Sequence, residues 1–186
     1  MHKICTSLLV GSWLVMGMPM AQAQVNTPGL VGTQAQRGQL SEKDYRFVEK
    51  SYRSGLEEVQ LGELAKQKAI SQAVREFGER MVTDHTKATD QLRQIATQKG
   101  AALPNQMSRG ETATFQHLRN KSGVDFDKSY ARDMVKDHNH DVKEFQDAAK
   151  ELADPDLKAW AQTTLAVLEQ HKRLAQELDA TVKNEK

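Results

Sequence analysis

Four long stretches of this chain carry apolar residues at the three- and four-residue spacing of an amphipathic α-helix, and no stretch alternates like a β-strand. The stretches cover about 41–69, 71–99, 125–153 and 154–182. Helices of roughly 28 residues are about 42 Å long at 1.5 Å per residue. Because helices of matched length can bury their apolar stripes against one another, we predict an all-α fold in which residues 41–183 form a four-helix bundle.

Residues that start and stop helices stand at the ends of these stretches. Ser41, Ser71 and Asp125 are placed to cap the first three helices, and Asp154 followed by proline is a start signal for the fourth. Gly100 is placed to end the second helix. These signals predict four separate helices that follow one another along the chain.

The connection between the second and third helices, residues 101–124, is much longer than the other two connections. It begins with the loop sequence AALPNQMSRG. The stretch from Glu111 to Lys121 then has the pattern of a short extra helix, which Gly123 interrupts.

The beginning of the chain has the pattern of a secretory signal peptide over residues 1–23, with a basic start, an apolar run from Ile4 to Met18, and small residues before a cleavage point after Ala23. The apolar run is too short for a membrane span. We therefore expect export to the periplasm, with peripheral attachment to the outer membrane as a second option. Residues 24–40 mix Gly, Gln, Thr and Pro without periodicity, which predicts a flexible lead-in.

Charge and cysteine content narrow the class of protein further. The single cysteine, Cys5, lies in the expected signal peptide, so the mature chain has no disulfide to stabilise it. Loss of Lys3 with that segment leaves 25 basic residues against 25 acidic ones. A chain this close to neutral is not expected to bind nucleic acid, and no second apolar stretch is long enough for a transmembrane segment.

The motif Met-Val-x-Asp-His occurs twice, in FGERMVTDH from Phe77 and in YARDMVKDH from Tyr130. Helical spacing places the two motif histidines, His85 and His138, within the apolar stripes of their helices, and it places His171 in the stripe of the last helix. On the first helix, Glu58 aligns with a stripe of small and apolar residues. A rival stripe would leave Glu58 at the edge of the buried face; it consists of Val48, Tyr52, Leu56 and Val59.

These four polar residues are also predicted to lie at one level of the bundle. Glu58 and His85 lie on either side of the turn near position 70, and His138 and His171 lie on either side of the turn near position 154. Each of the four is separated from its turn by about 18–25 Å of helix, at 1.5 Å per residue. That distance is close to half the length of each helix. We therefore predict one interior layer formed by Glu58, His85, His138 and His171.

Two interpretations of this layer follow from its chemistry. Three imidazoles and a carboxylate are ligands for Zn, Fe, Ni, Cu or Mn, and Asp84 and Asp137 would then orient neighbouring imidazoles as hydrogen-bond acceptors. Alternatively, the histidines form a metal-free polar layer in a structural or interaction bundle, because buried polar groups can satisfy one another. The sequence Asp137 to His140 is not expected to form a separate metal cluster, since His140 faces outward.

An enzyme ranks third among the interpretations. The chain has no cysteine nucleophile, no phosphate-binding glycine loop and no recognisable Ser-His-Asp arrangement. A carboxylate-bridged di-iron oxidase would need Glu-x-x-His motifs, and none precedes the three histidines.

Several motifs resemble those of a bacterial family of predicted exported or outer-membrane proteins, domain of unknown function 4142. They are EVQLGELA from Glu58, FGERMVTDHTKATDQL from Phe77, ALP at 102–104, FDKSYARDMVKDH from Phe126 and LAVLEQHKRLA from Leu165. The resemblance covers about residues 41–180 and implies a ferritin-like bundle with no established reaction. It implies that the recurring Glu, Asp-His, Asp-His and His of the family fall on Glu58, Asp84-His85, Asp137-His138 and His171. It also implies that the connection over 101–124 crosses the bundle lengthwise.

Overall fold

The computed structural model describes residues 33–184, and within that range it contains six α-helices and no strand. The helices are α1 Gln34–Arg37, α2 Glu42–Lys68, α3 Gln72–Gln98, α4 Arg109–Arg119, α5 Gly123–Glu151 and α6 Pro155–Val182. The predicted all-α helical bundle is confirmed, and the four long helices end within about three residues of their predicted limits. The expected signal peptide and the first part of the lead-in lie outside the described residues.

The observed caps follow the sequence signals with one exception. The side chains of Ser41 and Asp154 accept hydrogen bonds from the backbone N–H groups of the first turns of α2 and α6. The predicted cap of α5 at Asp125 is wrong, because the N-cap is Ser122 and Asp125 lies in the first turn. Gly123, the first residue of the helix, has a φ of 57°, a left-handed value that glycine tolerates without steric strain.

Hydrogen bonds at both ends of the bundle establish the direction of the helices. The Asp44 carboxylate, at the start of α2, accepts hydrogen bonds from the backbone N–H groups of Ala153 (3.1 Å) and Asp154 (3.0 Å) in the α5–α6 turn. At the other end, the Ser71 N–H, in the α2–α3 turn, donates to the Asp127 carboxylate near the start of α5 (2.7 Å). Thus α2 and α5 are antiparallel and α3 and α5 are parallel. The segment between α3 and α5 therefore crosses the bundle lengthwise, as expected, and α4 packs against α2 and α5 along it.

The end of the predicted lead-in is structured. The Gln39 N–H donates to the Lys99 carbonyl (2.9 Å), and the Ala102 N–H donates to the Gln36 carbonyl (2.8 Å). Leu40 is buried in the core. Residues 33–40, at the end of the predicted lead-in, are therefore joined to the distant chain around residue 100.

The buried apolar residues form two clusters, one toward each end of the bundle. One cluster includes Phe47, Phe145 and Trp160, and the other includes Phe126 and Tyr130. Along every long helix the two clusters are separated by a buried polar residue. These residues are Glu58 on α2, His85 on α3, His138 on α5 and His171 on α6. The bundle therefore has a polar layer at mid-height with an apolar core on each side. Across the described range, no helix combines the length and the apolar character that crossing a bilayer requires.

The backbones of α2 and α3 approach each other closely at two glycines, Gly62 and Gly78. A Cβ atom built on Gly62 would lie 2.6 Å from the Gly78 carbonyl oxygen, and one built on Gly78 would lie 2.8 Å from the Ala65 Cβ. Distances this short cannot be accommodated without moving the backbone. The two glycines therefore set the spacing of the hairpin that presents Glu58 and His85.

The substitution Gly62→Ala is predicted to destabilise the protein despite the higher helix propensity of alanine. Alanine would gain up to about 1 kcal/mol of propensity, but overpacking at a backbone contact typically costs about 1–3 kcal/mol. We expect a net loss measured by urea unfolding. Gly110→Ala in α4 is the control, because its nearest neighbour would be Ser108 Oγ at 3.8 Å, and it should be neutral or stabilising. Equal stability of Gly62→Ala and wild type would contradict the close approach.

Candidate metal centre

Three histidines from three helices converge in the polar layer. The ring centroids are 5.8 Å apart for His85 and His138, 5.4 Å for His85 and His171, and 5.3 Å for His138 and His171. All three side chains are buried, and one ring nitrogen from each lies within 4.8 Å of the other two. The structure thus brings together the three histidines that face and height predicted.

The orientation of His138 is set by its own helix. Its Nδ1 lies 2.9 Å from the backbone carbonyl oxygen of Met134, one turn earlier. Because a carbonyl oxygen only accepts, Nδ1 carries the proton and donates. In the neutral ring, Nε2 is then unprotonated and carries a free lone pair. This buried atom has no hydrogen-bond partner.

The orientation of His171 is set from another helix. Its Nε2 lies 2.9 Å from Oδ2 of Asp84 on α3, so Nε2–H donates to the carboxylate. The buried Nδ1 is left without a partner. Asp84 therefore makes the contact expected of an orienting carboxylate, although its imidazole is that of His171 on α6 and not that of its sequence neighbour His85.

The pKa values of all three histidines are lowered. Burial lowers the pKa of His138 to about 4, helped by His171. Burial and the other two histidines lower the pKa of His85 well below its usual range. Burial also lowers the pKa of His171, against the opposing effect of Asp84. The imidazoles are therefore neutral at pH 7, which is the form that binds metal ions.

Each ring has a buried nitrogen without a hydrogen-bond partner: His85 Nε2, His138 Nε2 and His171 Nδ1. In His138 and His171 this nitrogen is the unprotonated one, because the other ring nitrogen donates. None of the three rings bonds to another, so the rings do not satisfy one another in the way that the metal-free interpretation expects. A tetrahedral ion with bonds of about 2.0–2.1 Å needs its ligand nitrogens about 3.3 Å apart. To bind such an ion, the ligand nitrogens would have to approach one another by at most about 1.5 Å, through ring rotations and small helix shifts.

Glu58 is buried on the interior face of α2, which excludes the rival stripe, but it does not join the histidine group. The residues that act electrostatically on its carboxyl include Asp141 and Asp137 on α5. Burial first, and then these acids, raise the pKa of Glu58 well above its usual range. Glu58, the predicted fourth ligand, is thus not among the ligand atoms that lie within 4.8 Å of one another.

Asp137 also lies away from the histidines. It lines a groove between α4 and α5 with Thr114 and His117, and it makes no hydrogen bond to the three histidines. Burial raises its pKa to about 6, with Asp133 as the next cause. The orienting role predicted for Asp137 finds no contact to support it. His140 is exposed and contacts Lys50 and Glu144, as expected from its outward position.

Replacing His138 by glutamine is predicted to remove an acid sensitivity of the fold. In metal-free buffer the folded pKa of about 4 lies below the unfolded value of about 6.5. As pH falls, the unfolded chain binds a proton first, so the wild type loses stability between these two values, by on the order of 3 kcal/mol. Relative to wild type, His138→Gln should gain that amount between about pH 7 and pH 4 in urea unfolding.

The comparison between the two proteins is needed because buried acids act in the opposite direction. Burial raises the pKa of Asp141 to about 7, so its contribution to stability falls as pH rises. Both proteins retain this term, and it cancels in the difference. A difference in unfolding free energy that does not change with pH would contradict a buried, neutral His138.

Comparison with known proteins agrees with the family resemblance that the motifs indicate, and it extends that resemblance to most of the chain. The family model described as Domain of unknown function (DUF4142) matches residues 30–178. No curated protein and no solved structure matches the chain at a significant level. Because the matched region contains all of α1–α5 and most of α6, including the three histidines, the chain belongs to the family of domain of unknown function DUF4142.

Proposed function

We propose that this chain is a metal-binding protein of the cell envelope and that His85, His138 and His171 hold one transition-metal ion. The observation that carries the proposal is that one ring nitrogen from each of the three buried histidines lies within 4.8 Å of the other two. Each of the three rings also has a buried nitrogen without a hydrogen-bond partner. Nearly all buried polar atoms in native proteins are satisfied. One cation satisfies all three nitrogens at once.

The ligand set favours some metals over others. Neutral imidazoles suit Zn, Cu, Ni and Fe, whereas Mn prefers oxygen ligands, and the group consists of histidines alone. Three protein ligands leave a fourth position open, as in zinc sites that bind an exogenous molecule, whereas structural zinc sites are closed by four protein ligands. We therefore expect Cu(II) and Zn(II) to bind most tightly.

The proposal also includes the location of the protein in the cell envelope and its relationship to ferritin-like bundles. Export rests on the signal-peptide pattern of residues 1–23, and an envelope role in metal handling or stress follows from it. The parallel α3 and α5, joined by a lengthwise connection, support the ferritin-like arrangement that the family resemblance implies. The alternative function, a structural bundle with a metal-free layer, leaves three buried ring nitrogens without a partner from the protein, at about 1–3 kcal/mol each.

Metal titration of the untagged mature protein tests the centre directly. Wild type should take up about one Zn(II) or Cu(II) per chain in calorimetry, and saturating metal should raise the melting temperature because the unfolded chain has no comparable site. His85→Ala and His138→Ala should each lose at least about 100-fold in affinity, since two imidazoles remain. His140→Ala and His117→Ala are matched controls that remove histidines outside the group, and both should bind like wild type.

Two results would reject the proposal. One is the absence of saturable uptake of Zn, Fe, Ni, Cu or Mn by the wild type. The other is equal affinity in wild type, His85→Ala and His138→Ala. Metal analysis of the protein purified from the periplasm identifies the ion, and recovery of the chain only from the cytoplasm would refute the envelope location independently of the metal site.

Asp84 and Asp137 offer a matched pair for the orienting role. Each precedes a histidine in the repeated motif, but only Asp84 bonds to one of the three imidazoles. Loss of a carboxylate that orients a metal-bound histidine typically lowers affinity about 10–100-fold. Asp84→Ala should show a loss in this range by calorimetry, and Asp137→Ala should stay within about twofold of wild type. Equal losses in both variants would contradict the observed pairing.

A further inference from the structure

A groove between α3 and α6 leads from the surface to the histidines. Its volume is about 120 Å³, and its lining includes His85 and His171. Lys87, Gln91 and Thr163 line it from exposed positions. The groove is far smaller than the roughly 300–1,000 Å³ of sites for drug-sized molecules. It admits a molecule of a few atoms only.

A second, smaller cavity of about 20 Å³ lies on the inner side of the same wall. Four residues line both spaces: His85, Ala88, Thr164 and Leu168. Space of this order holds one water-sized group. The outer groove and the inner cavity are therefore adjacent and meet at a candidate metal ligand.

The inner cavity has hydrogen-bonding groups that the protein does not satisfy. Ser51 and Trp160 line it, and both residues are more than nine-tenths buried. Ser51 Oγ and Trp160 Nε1 have no hydrogen-bond partner. The Trp160 N–H can only donate, and the Ser51 hydroxyl can donate as well. A hydrogen-bond acceptor in this cavity is the one kind of partner that suits both groups.

We infer that the fourth position of the metal centre takes a small anion of two or three heavy atoms, which enters by the α3–α6 groove and accepts hydrogen bonds from Trp160 and Ser51. This inference rests on the proposed metal centre. The size follows from the two volumes, and the acceptor character follows from the two unbonded donors. Azide is the probe for this class of small anions, which also includes peroxide and nitrite.

Azide titration of the Cu(II)-loaded protein tests the inference. Wild type should show saturable changes in its absorption and electron paramagnetic resonance spectra as azide enters the copper coordination sphere. Ala88→Leu fills the wall shared by the groove and the cavity, and it should weaken azide binding at least tenfold. Ala73→Leu is the matched control, because Ala73 is also a partly buried alanine of α3 lining another α3–α6 groove. This variant should bind azide within twofold of wild type.

A second pair of variants tests the donors without filling the cavity. Trp160→Phe keeps an aromatic ring in the core but removes the N–H, and Ser51→Ala removes the hydroxyl. Each should weaken azide binding three- to tenfold while Cu(II) affinity stays within twofold of wild type. If Ala88→Leu fails to take up copper, these two variants decide the question.

The outcomes separate the two proposals. No Cu(II) uptake by wild type would refute the metal centre and this inference with it. Normal Cu(II) uptake with no spectral response to azide would refute this inference alone and leave water as the fourth ligand. Azide affinity unchanged in Ala88→Leu, Trp160→Phe and Ser51→Ala would place the anion elsewhere on the metal and equally overturn it.

Discussion

Three neutral imidazoles buried at mid-height are the element around which this bundle is organised. Each buried, unbonded nitrogen destabilises the fold by about 1–3 kcal/mol, so the apolar clusters above and below must stabilise the helices enough to keep the layer closed. The Met134 carbonyl and the Asp84 carboxylate fix the rings of His138 and His171, and in both cases the unprotonated nitrogen remains without a partner. Two of the three rings are therefore held in fixed orientations, and the group of three could hold a metal ion.

The convergence of the histidines depends on contacts at the two ends of the bundle, about 20 Å away. The Asp44 carboxylate holds the α5–α6 turn against the start of α2, and Lys99 pairs with Asp154 (2.8 Å) and Asp156 (2.7 Å) to join α3 to α6. A shift of one helical turn along any of these helix–helix interfaces would move a histidine by about 5.4 Å. The end contacts are therefore as important to the site as the layer itself.

Desolvation shifts the pKa values of the buried histidines and of the neighbouring buried acids in opposite directions. It lowers the pKa of the three histidines, and it raises that of Glu57 and Asp141 to about 7 and that of Glu58 well above its usual range. Both shifts favour the uncharged form of the group concerned. Between about pH 4 and pH 6.5 the histidines and the acids change stability with opposite sign, which flattens the pH profile of the whole protein.

Local rules in the sequence determined the helix limits, the buried faces and the common level of the histidines, because helical periodicity and capping act over three to four residues. The bond from His138 to Met134, one turn away, is of this local kind. Tertiary structure decided the rest. The pairing of Asp84 with His171 spans 87 residues, and whether Glu58 joins the histidines depends on the rotation of α2, which no short pattern encodes. The contacts of residues 33–40 with the chain near residue 100 are equally distant in sequence. Repetition of Asp-His in the sequence therefore located the site, whereas helix packing selected which of its neighbours belong to it.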